Sequence, residues 1–168
     1  MRALLIQISL VLVSTPVVAA EFIEFTPPSF LSAARVSRAA LGATYAYRGK
    51  GEFSGAELQI TVAALPPEIQ QSVHNSPAAC VEIFLKELRH QSPGLFSAPV
   101  ARPLLAGPLS LTQVRWTREM RAKPTTGVTA CTIHNGRFVV VNFAAATHQA
   151  MRLLTRIRLQ LTELKVNF

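Results

Sequence analysis

Two cysteines and four histidines are the residues of this chain that could support nucleophilic or metal chemistry. A cysteine nucleophile needs a base within hydrogen-bond reach, and the histidine nearest to Cys131 in sequence is His134. An odd separation along a β-strand places two side chains on opposite faces, so a dyad would need another histidine to approach through the fold. The chain has no His-x-His, His-Glu-x-x-His or Cys-x-x-Cys spacing, so we expect no metal site.

The acidic residues exclude several further kinds of site. All nine are glutamates, and without any aspartate the chain can form neither an Asp-rich calcium loop nor a Ser-His-Asp triad. Glu52 and Glu57 are close enough in sequence to be considered as the acid and base of a glycosidase. They fall at the end of a predicted hairpin, where flexible turn residues are poorly preorganised for catalysis. The glutamates therefore do not indicate a glycosidase.

The most informative polar cluster runs from Arg115 to Lys123. If this segment is a strand, Arg115 and Arg121 share one face and Arg118 lies on the other. Arg137, on a neighbouring strand, could join the first group. Because guanidinium groups bind carboxylates and phosphates through paired hydrogen bonds, we predict a site for an acidic partner surface or an anionic ligand. Its candidate residues are Arg115, Arg118, Arg121, Lys123 and Arg137.

The positive charge is unevenly distributed along the chain. The formal net charge is +8, and residues 101–168 alone carry ten basic and only two acidic side chains. A solvated face of a basic protein is the simplest alternative to a binding site, and peripheral contact with anionic lipid is another. Charge alone would also permit nucleic-acid binding. Export and the lack of a recognisable aromatic base-stacking motif argue against nucleic acid as a partner.

The first twenty residues have the layout of a secretory signal peptide. Arg2 precedes an apolar run from Ala3 to Val13, and Pro16 and small residues follow it. That run is shorter than the roughly 20 residues needed to span a bilayer. We therefore predict a signal peptide at 1–20, a single domain at 21–168, and export, with the bacterial periplasm as the expected compartment.

Export bears on the two cysteines, because an oxidising compartment favours disulfides. Cys80 lies on the inner side of a predicted helix, and Cys131 shares a strand face with Thr129 and Ile133. A helix packed on that face would bring the sulfurs together, and closing a loop of about 50 residues is worth about 4 kcal/mol by the chain-entropy argument. We predict a disulfide, with two buried free thiols as the alternative.

Hydrophobic periodicity and turn residues predict the elements that carry these groups. Glycines join two β-rich runs into a hairpin, Ser76-Pro77 begins a helix that ends near His90, and Asn135-Gly136 is a typical hairpin turn within a three-strand meander. A final amphipathic helix follows, and segment 93–108 is a long connection with at most a short edge strand near Val100. The predicted ranges are 41–48 and 56–64 for the hairpin, 109–121, 127–134 and 137–146 for the meander, and 147–164 for the last helix.

The predicted class is therefore α+β, with a central antiparallel sheet of about five to six strands flanked by two main helices. This order of hairpin, helix, meander and helix resembles that of the PsbP-type α/β/α sandwich over residues 41–165. The resemblance implies helices on both faces of the sheet and a non-catalytic binding or accessory role. We accordingly expect an exported binding protein without a cofactor, and the alternative is a small secreted hydrolase that uses a Cys or Ser with a His.

Overall fold

A computed structural model of the chain describes residues 22–65, 77–91, 94–120 and 123–167. The predicted signal peptide at 1–20 lies outside the described residues, as does Arg121. In the described part the elements are, in order, β1 (Ile23–Glu24), β2 (Arg35–Ala39), β3 (Gly42–Arg48), β4 (Glu57–Ala64), α1 (Pro77–Gln91), β5 (Phe96–Ala106), β6 (Leu109–Met120), β7 (Lys123–His134), β8 (Arg137–Ala146), α2 (Thr147–Leu161) and β9 (Lys165–Val166). The α+β class, with two helices and a large antiparallel sheet, is confirmed.

Seven of the described strands form one sheet, in the order β2-β3-β4-β8-β7-β6-β5. The prediction of five to six strands was therefore wrong, and the difference lies at the sheet edges. All five residues of β2 are exposed, so no alternation of apolar and polar residues marks this strand in the sequence. At the other edge, β5 extends over eleven residues although it contains Pro99 and Pro103. An edge strand tolerates proline because one row of its backbone groups needs no partner strand.

The centre of the sheet is the pairing of β4 with β8, which joins the N-terminal hairpin to the meander. Ile60 lies opposite Val141 in this antiparallel register. The strands β6, β7 and β8 follow one another as the predicted meander, with Asn135-Gly136 at the turn between β7 and β8. Both residues of that turn have positive φ, as this type of hairpin turn requires.

One face of the sheet, which we call the α2 face, packs against helix α2. Val139 and Val141 of β8 belong to the same buried cluster as Leu153 and Ile157 of the helix. The apolar side of the helix is continuous, as the sequence predicts, and its buried residues are Ala150, Leu153, Leu154, Ile157 and Leu161. The helix ends at Leu161 rather than at the predicted Leu164, although Leu164 is also buried.

The opposite face, which we call the α1 face, packs against helix α1. Val81 and Leu85 of the helix share a buried cluster with Trp116 of β6 and Val140 of β8. Gly127 of β7 makes room for the indole, since an added Cβ would collide with the Trp116 ring. Among the described residues, no helix is long and apolar enough to cross a membrane.

Residues 22–32 form an N-terminal strap that packs on the same core as α2. Ile23 of β1 pairs with Val166 of β9, while Phe30 and Leu31 are buried in the α2-face cluster. A backbone hydrogen bond from Lys50 N–H to the carbonyl oxygen of Phe30, 2.8 Å long, fixes the end of the strap beside β3. The strap and α2 together cover the α2 face.

Candidate functional site

The predicted basic residues do not form one cluster. Strand alternation in β6 places Arg115 on the α2 face, with the buried Leu111, and places Arg118 on the α1 face beside Trp116. The sequence predicted this separation of Arg115 from Arg118. Each arginine contributes to a different cavity.

Arg137 lies far from Arg115 although both are on the α2 face. Arg115 pairs with Val128, and Val128 pairs with Phe143, which is six residues along β8 from Arg137. At the rise of a β-strand this separation is roughly 20 Å. Arg121 lies outside the described residues, and of Lys123 only the backbone, at the start of β7, is described. The predicted stripe thus divides among separate places in the fold.

Arg137 belongs to a group of three that we call the stacked arginines, because each guanidinium lies over a phenylalanine ring. Arg156 of α2 also comes within 3.5 Å of the Ser29 hydroxyl of the strap. The distances from guanidinium carbon to ring centroid are 5.1 Å for Arg137 over Phe22, 5.7 Å for Arg152 over Phe53 and 4.7 Å for Arg156 over Phe30. These are cation-π contacts that connect β8 and α2 to the strap and to the turn after β3.

Three other arginines line a cavity of about 450 Å³ between β5 and the C-terminal end of α2. We call this cavity the arginine groove. Its polar lining consists of Arg102, Gln113, Arg115, Arg158 and Thr162, and its apolar lining includes Val100, Leu104, Leu105 and Leu159. None of the acidic side chains in the described part of the chain lines it. The groove therefore presents three cations to whatever enters it.

A buried glutamine organises the interior of the arginine groove. Gln113 is only 2% exposed, and its Nε2 donates a hydrogen bond to the backbone carbonyl of Arg102. Its Oε1 accepts a hydrogen bond of 3.1 Å from Nη2 of Arg158. The amide thus links strand β5 to helix α2 and holds the Arg158 guanidinium in a defined position.

The electrostatics of the arginine groove are those of like charges held together. Burial lowers the pKa of Arg158, and the nearby charge of Arg115 lowers it further. Neither the Arg102 nor the Arg115 side chain has a salt bridge to the described carboxylates. An anion bound here would relieve this repulsion and would accept charge-assisted hydrogen bonds.

Two local features of the backbone build the arginine groove. The β5–β6 register shifts between Val100 and Leu104, so that residues 101–103 lie where β6 offers only Thr112. Such an irregularity bends a strand locally, and Arg102, which lines the groove, lies within it. At the β5–β6 turn, Gly107 has a φ of +55° and donates a hydrogen bond of 2.7 Å to the carbonyl of Leu161. An added Cβ at Gly107 would collide with the carbonyl oxygen of Leu164, so glycine is required for this close approach.

On the α1 face, Arg118 lines a second cavity of about 320 Å³. Its guanidinium carbon lies 5.6 Å from the centroid of the Trp116 ring, and its buried Nε has no hydrogen-bond partner among the described residues. The indole N–H donates to the Thr129 hydroxyl at 3.0 Å, and that hydroxyl donates to Oδ1 of Asn142 at 2.9 Å. Two glutamates, Glu57 and Glu87, also line this cavity, so it lacks the uniform positive charge of the arginine groove.

The two cysteines lie between α1 and the sheet at disulfide distance. The Cα atoms of Cys80 and Cys131 are 5.9 Å apart, and a disulfide joins helix α1 to strand β7 across 51 residues of sequence. Both side chains are buried. A sulfur in a disulfide cannot act as a thiolate nucleophile, so the hydrolase alternative would have to rely on a serine in the oxidised protein.

Sequence reasoning did not assign Arg102 and Arg158 to the site, although it counted both in the basic C-terminal part. The available signal was the charge excess itself, which concentrates arginines after residue 100. Deciding which of them meet requires the backbone irregularity in β5 and the position of α2 on the sheet, and neither has a local sequence signature.

The fold is similar to that of two solved structures. Cyanobacterial PsbP (CyanoP) from Synechocystis aligns with a TM-score of 0.55 and 10% identity over 87% of each chain. LpqN, described as involved in cell envelope biogenesis of Mycobacterium tuberculosis, aligns with a TM-score of 0.49 and 14% identity over 87% of this chain and 83% of that chain. No protein-family model and no curated protein sequence matches. The PsbP-like fold predicted from the element order is confirmed.

Proposed function

We propose that this protein is an exported, non-catalytic binding or accessory protein that uses the arginine groove to hold an anionic ligand or an acidic group of a partner. One observation carries this proposal: Arg102, Arg115 and Arg158 converge on one cavity, and none of the acidic side chains that the structure describes lines it. Isolated surface arginines are usually solvated or paired. In this cavity burial lowers the pKa of Arg158, and the charge of Arg115 lowers it further, so a bound anion would favour the charged form of Arg158.

The proposed compartment is the bacterial periplasm. The signal-peptide pattern at residues 1–20 supports export, and the disulfide between Cys80 and Cys131 suits an oxidising compartment. Any contact of the exported protein with the membrane would then be at the membrane surface. The similarity to CyanoP supports the fold of this protein and does not identify its partner.

The proposal is tested by measuring binding of two anionic probes, inorganic phosphate and a poly-glutamate peptide, to the protein without residues 1–20. The test variant is the double substitution Arg115→Gln, Arg158→Gln. Losing two charge-assisted contacts should weaken binding of the preferred probe by roughly tenfold or more. Raising the salt concentration should weaken binding to the unaltered protein and have less effect on this variant.

A matched control removes the same charge from the other edge of the sheet. Arg35 and Arg38 lie on the fully exposed strand β2, so Arg35→Gln, Arg38→Gln lowers the net charge equally without touching the groove. This control should bind within about twofold of the unaltered protein, because distant exposed charges are screened. Equal losses in the two double variants, with circular dichroism unchanged, would show that binding follows net charge and that the groove is not a site.

A further inference from the structure

The arginine groove has an apolar component that anion binding alone does not explain. Leu105 and Leu159 are 52% and 66% exposed, and both line the groove. Leu104 also lines the groove, but it is only 2% exposed and belongs to the core. Single exposed leucines are common on protein surfaces, but here two of them flank the same cavity from different elements, one on β5 and one on α2.

The chemistry of this lining is therefore divided. Arg102, Arg115 and Arg158 supply positive charge, while Leu104, Leu105 and Leu159 supply apolar lining. A small inorganic anion would use only the first part. An acidic protein surface would place charged side chains against exposed leucines, which would desolvate those charges without compensation. A ligand that uses both parts must itself be charged at one end and apolar along the rest.

We propose that the occupant of the arginine groove is a single-chain amphiphile with one anionic head group, of the alkyl carboxylate or alkyl phosphate type. This inference rests on the proposed function and specifies its ligand class. The head group binds between Arg115 and Arg158, and the chain lies against the leucines that line the groove. The groove volume of about 450 Å³ falls within the roughly 300–1,000 Å³ typical of small-molecule sites.

The position of Gln113 supports this orientation. Its Oε1 accepts from Nη2 of Arg158, which leaves the other guanidinium N–H groups of that arginine for a head group. Its Nε2 donates to the carbonyl of Arg102, which fixes the irregular part of β5. The polar end of the groove is thus preorganised, and binding there would order few additional side chains.

The first test is a calorimetric titration with a homologous series, from acetate through butanoate and hexanoate to octanoate and decanoate, at constant ionic strength and below micelle formation. All members carry the same head group, so only the chain varies. Each added methylene that becomes buried should tighten binding about threefold to fourfold until the chain extends beyond the groove. A second series of alkyl phosphates of the same chain lengths, with inorganic phosphate as the member without a chain, is titrated in the same way. Comparing the two series at equal chain length shows which head group is preferred.

The second test removes the apolar surface while keeping the charges. Leu105→Ser, Leu159→Ser should flatten the dependence on chain length and leave acetate and inorganic phosphate binding within about twofold. The matched control is Val36→Ser, Leu41→Ser, which changes two residues of similar exposure, 41% and 49%, at the opposite edge of the sheet. This control should retain the full dependence on chain length.

The outcomes separate this inference from the function on which it rests. Binding that is lost with Arg115→Gln, Arg158→Gln but shows no dependence on chain length would overturn the amphiphile and leave the anion site. Absence of binding to every anion would overturn both. Binding only to vesicles that contain anionic phospholipid, without binding to any monomeric amphiphile, would also overturn the inference and identify a membrane surface instead.

Discussion

The two groups of arginines on the α2 face carry the same charge in opposite surroundings. Each stacked arginine lies over a phenylalanine ring, and together they join α2 and β8 to the strap and the turn that follows β3. The groove arginines have no aromatic contact among the described residues, and one of them, Arg158, has its pKa lowered by burial and by its neighbour Arg115. Helix α2 contributes to both groups within two residues, through Arg156 and Arg158.

This difference shows that a basic composition does not by itself indicate a binding surface. Of the ten basic residues after residue 100, at least five already make contacts within the protein: Arg118, Arg137, Arg152 and Arg156 with aromatic rings, and Lys165 with Glu24. The arginines that line the groove have no aromatic contact and no salt bridge among the described residues, and these are the ones that we propose for a ligand. The contrast between the two groups predicts different responses to substitution, both in stability and in binding.

The largest change in stability should come from the disulfide, which lies on the α1 face, away from both groups of arginines. Its removal therefore tests whether anion binding on the α2 face is independent of the α1 face. Removing the disulfide with Cys80→Ala, Cys131→Ala should lower the free energy of unfolding by about 4 kcal/mol, because the bridge closes a 51-residue separation. The bridge lies on the α1 face, so the folded variant should keep its anion affinity. Urea denaturation and a binding titration below the unfolding transition measure the two effects; a parallel loss of affinity would show that the two faces are coupled.

A smaller loss of stability should follow from a substitution in the turn that connects β5 and β6, which adjoins the arginine groove and not the stacked arginines. Gly107→Ala combines a positive φ with a collision at the Leu164 carbonyl, so we expect a loss of about 2 to 3 kcal/mol together with weaker anion binding. The control is Gly136→Ala, where φ is also positive but an added Cβ meets nothing within 4 Å. It should cost about 1 kcal/mol in thermal or urea unfolding and leave binding unchanged. Equal losses in the two variants would contradict the importance of the close approach.

The most direct comparison substitutes one member of each arginine group. Arg156→Gln removes a cation-π contact and should lower the free energy of unfolding by about 0.5 to 1 kcal/mol without affecting anion binding. Arg115→Gln removes a like-charge neighbour of Arg158, so it should raise the free energy of unfolding by about 0.3 kcal/mol. The same substitution should weaken anion binding. Chemical denaturation at low salt resolves the two signs. The same sign in both variants would remove the distinction between the groups.

The smallest effect concerns an exposed pair that belongs to neither group. Lys165 of β9 lies 2.8 Å from Glu24 of β1, and its hydrogen bond to Glu24 and the charge of that carboxylate raise the pKa of Lys165. A raised pKa means that folding favours the charged lysine, so this contribution is complete below the usual lysine pKa of 10.5 and is lost as the pH rises above it. Lys165→Met should therefore reduce the fall in stability at alkaline pH, measured by urea denaturation against pH. An unchanged alkaline profile would show that the pair contributes nothing.

The sequence was most informative where periodicity is strong. The alternation of Leu58, Ile60 and Val62 located β4, and the apolar side of α2 identified the residues that the structure buries. The edge strands were harder, because their residues face solvent on much of their surface and carry little alternation. In β5 the prolines indicated a loop, and only tertiary pairing with β6 makes the segment a long strand.

The candidate site divides in the same way. That Arg115 and Arg118 point to opposite faces follows from strand alternation and could be predicted locally. That Arg115 meets Arg102 and Arg158 depends on how far α2 reaches across the sheet and on the extra residues in β5. Such contacts are set by packing between distant elements, which residue patterns do not encode.

The pairing of β4 with β8 determines the order in which this protein can fold. Ile60 pairs with Val141, which lies about 80 residues later in the chain. The apolar side of β4 also packs in the same cluster as residues of α2, which follows β8. Until residues 137–161 are available, β2-β3-β4 and β5-β6-β7 are two separate three-stranded units, and the apolar side of β4 has neither β8 beside it nor α2 over it. Folding should therefore be slow, as is typical when most contacts join distant residues, and it can be completed only by the whole chain. A ribosome-bound nascent chain that stops before β8 should remain sensitive to protease at a time when a helical protein of equal length would already resist it.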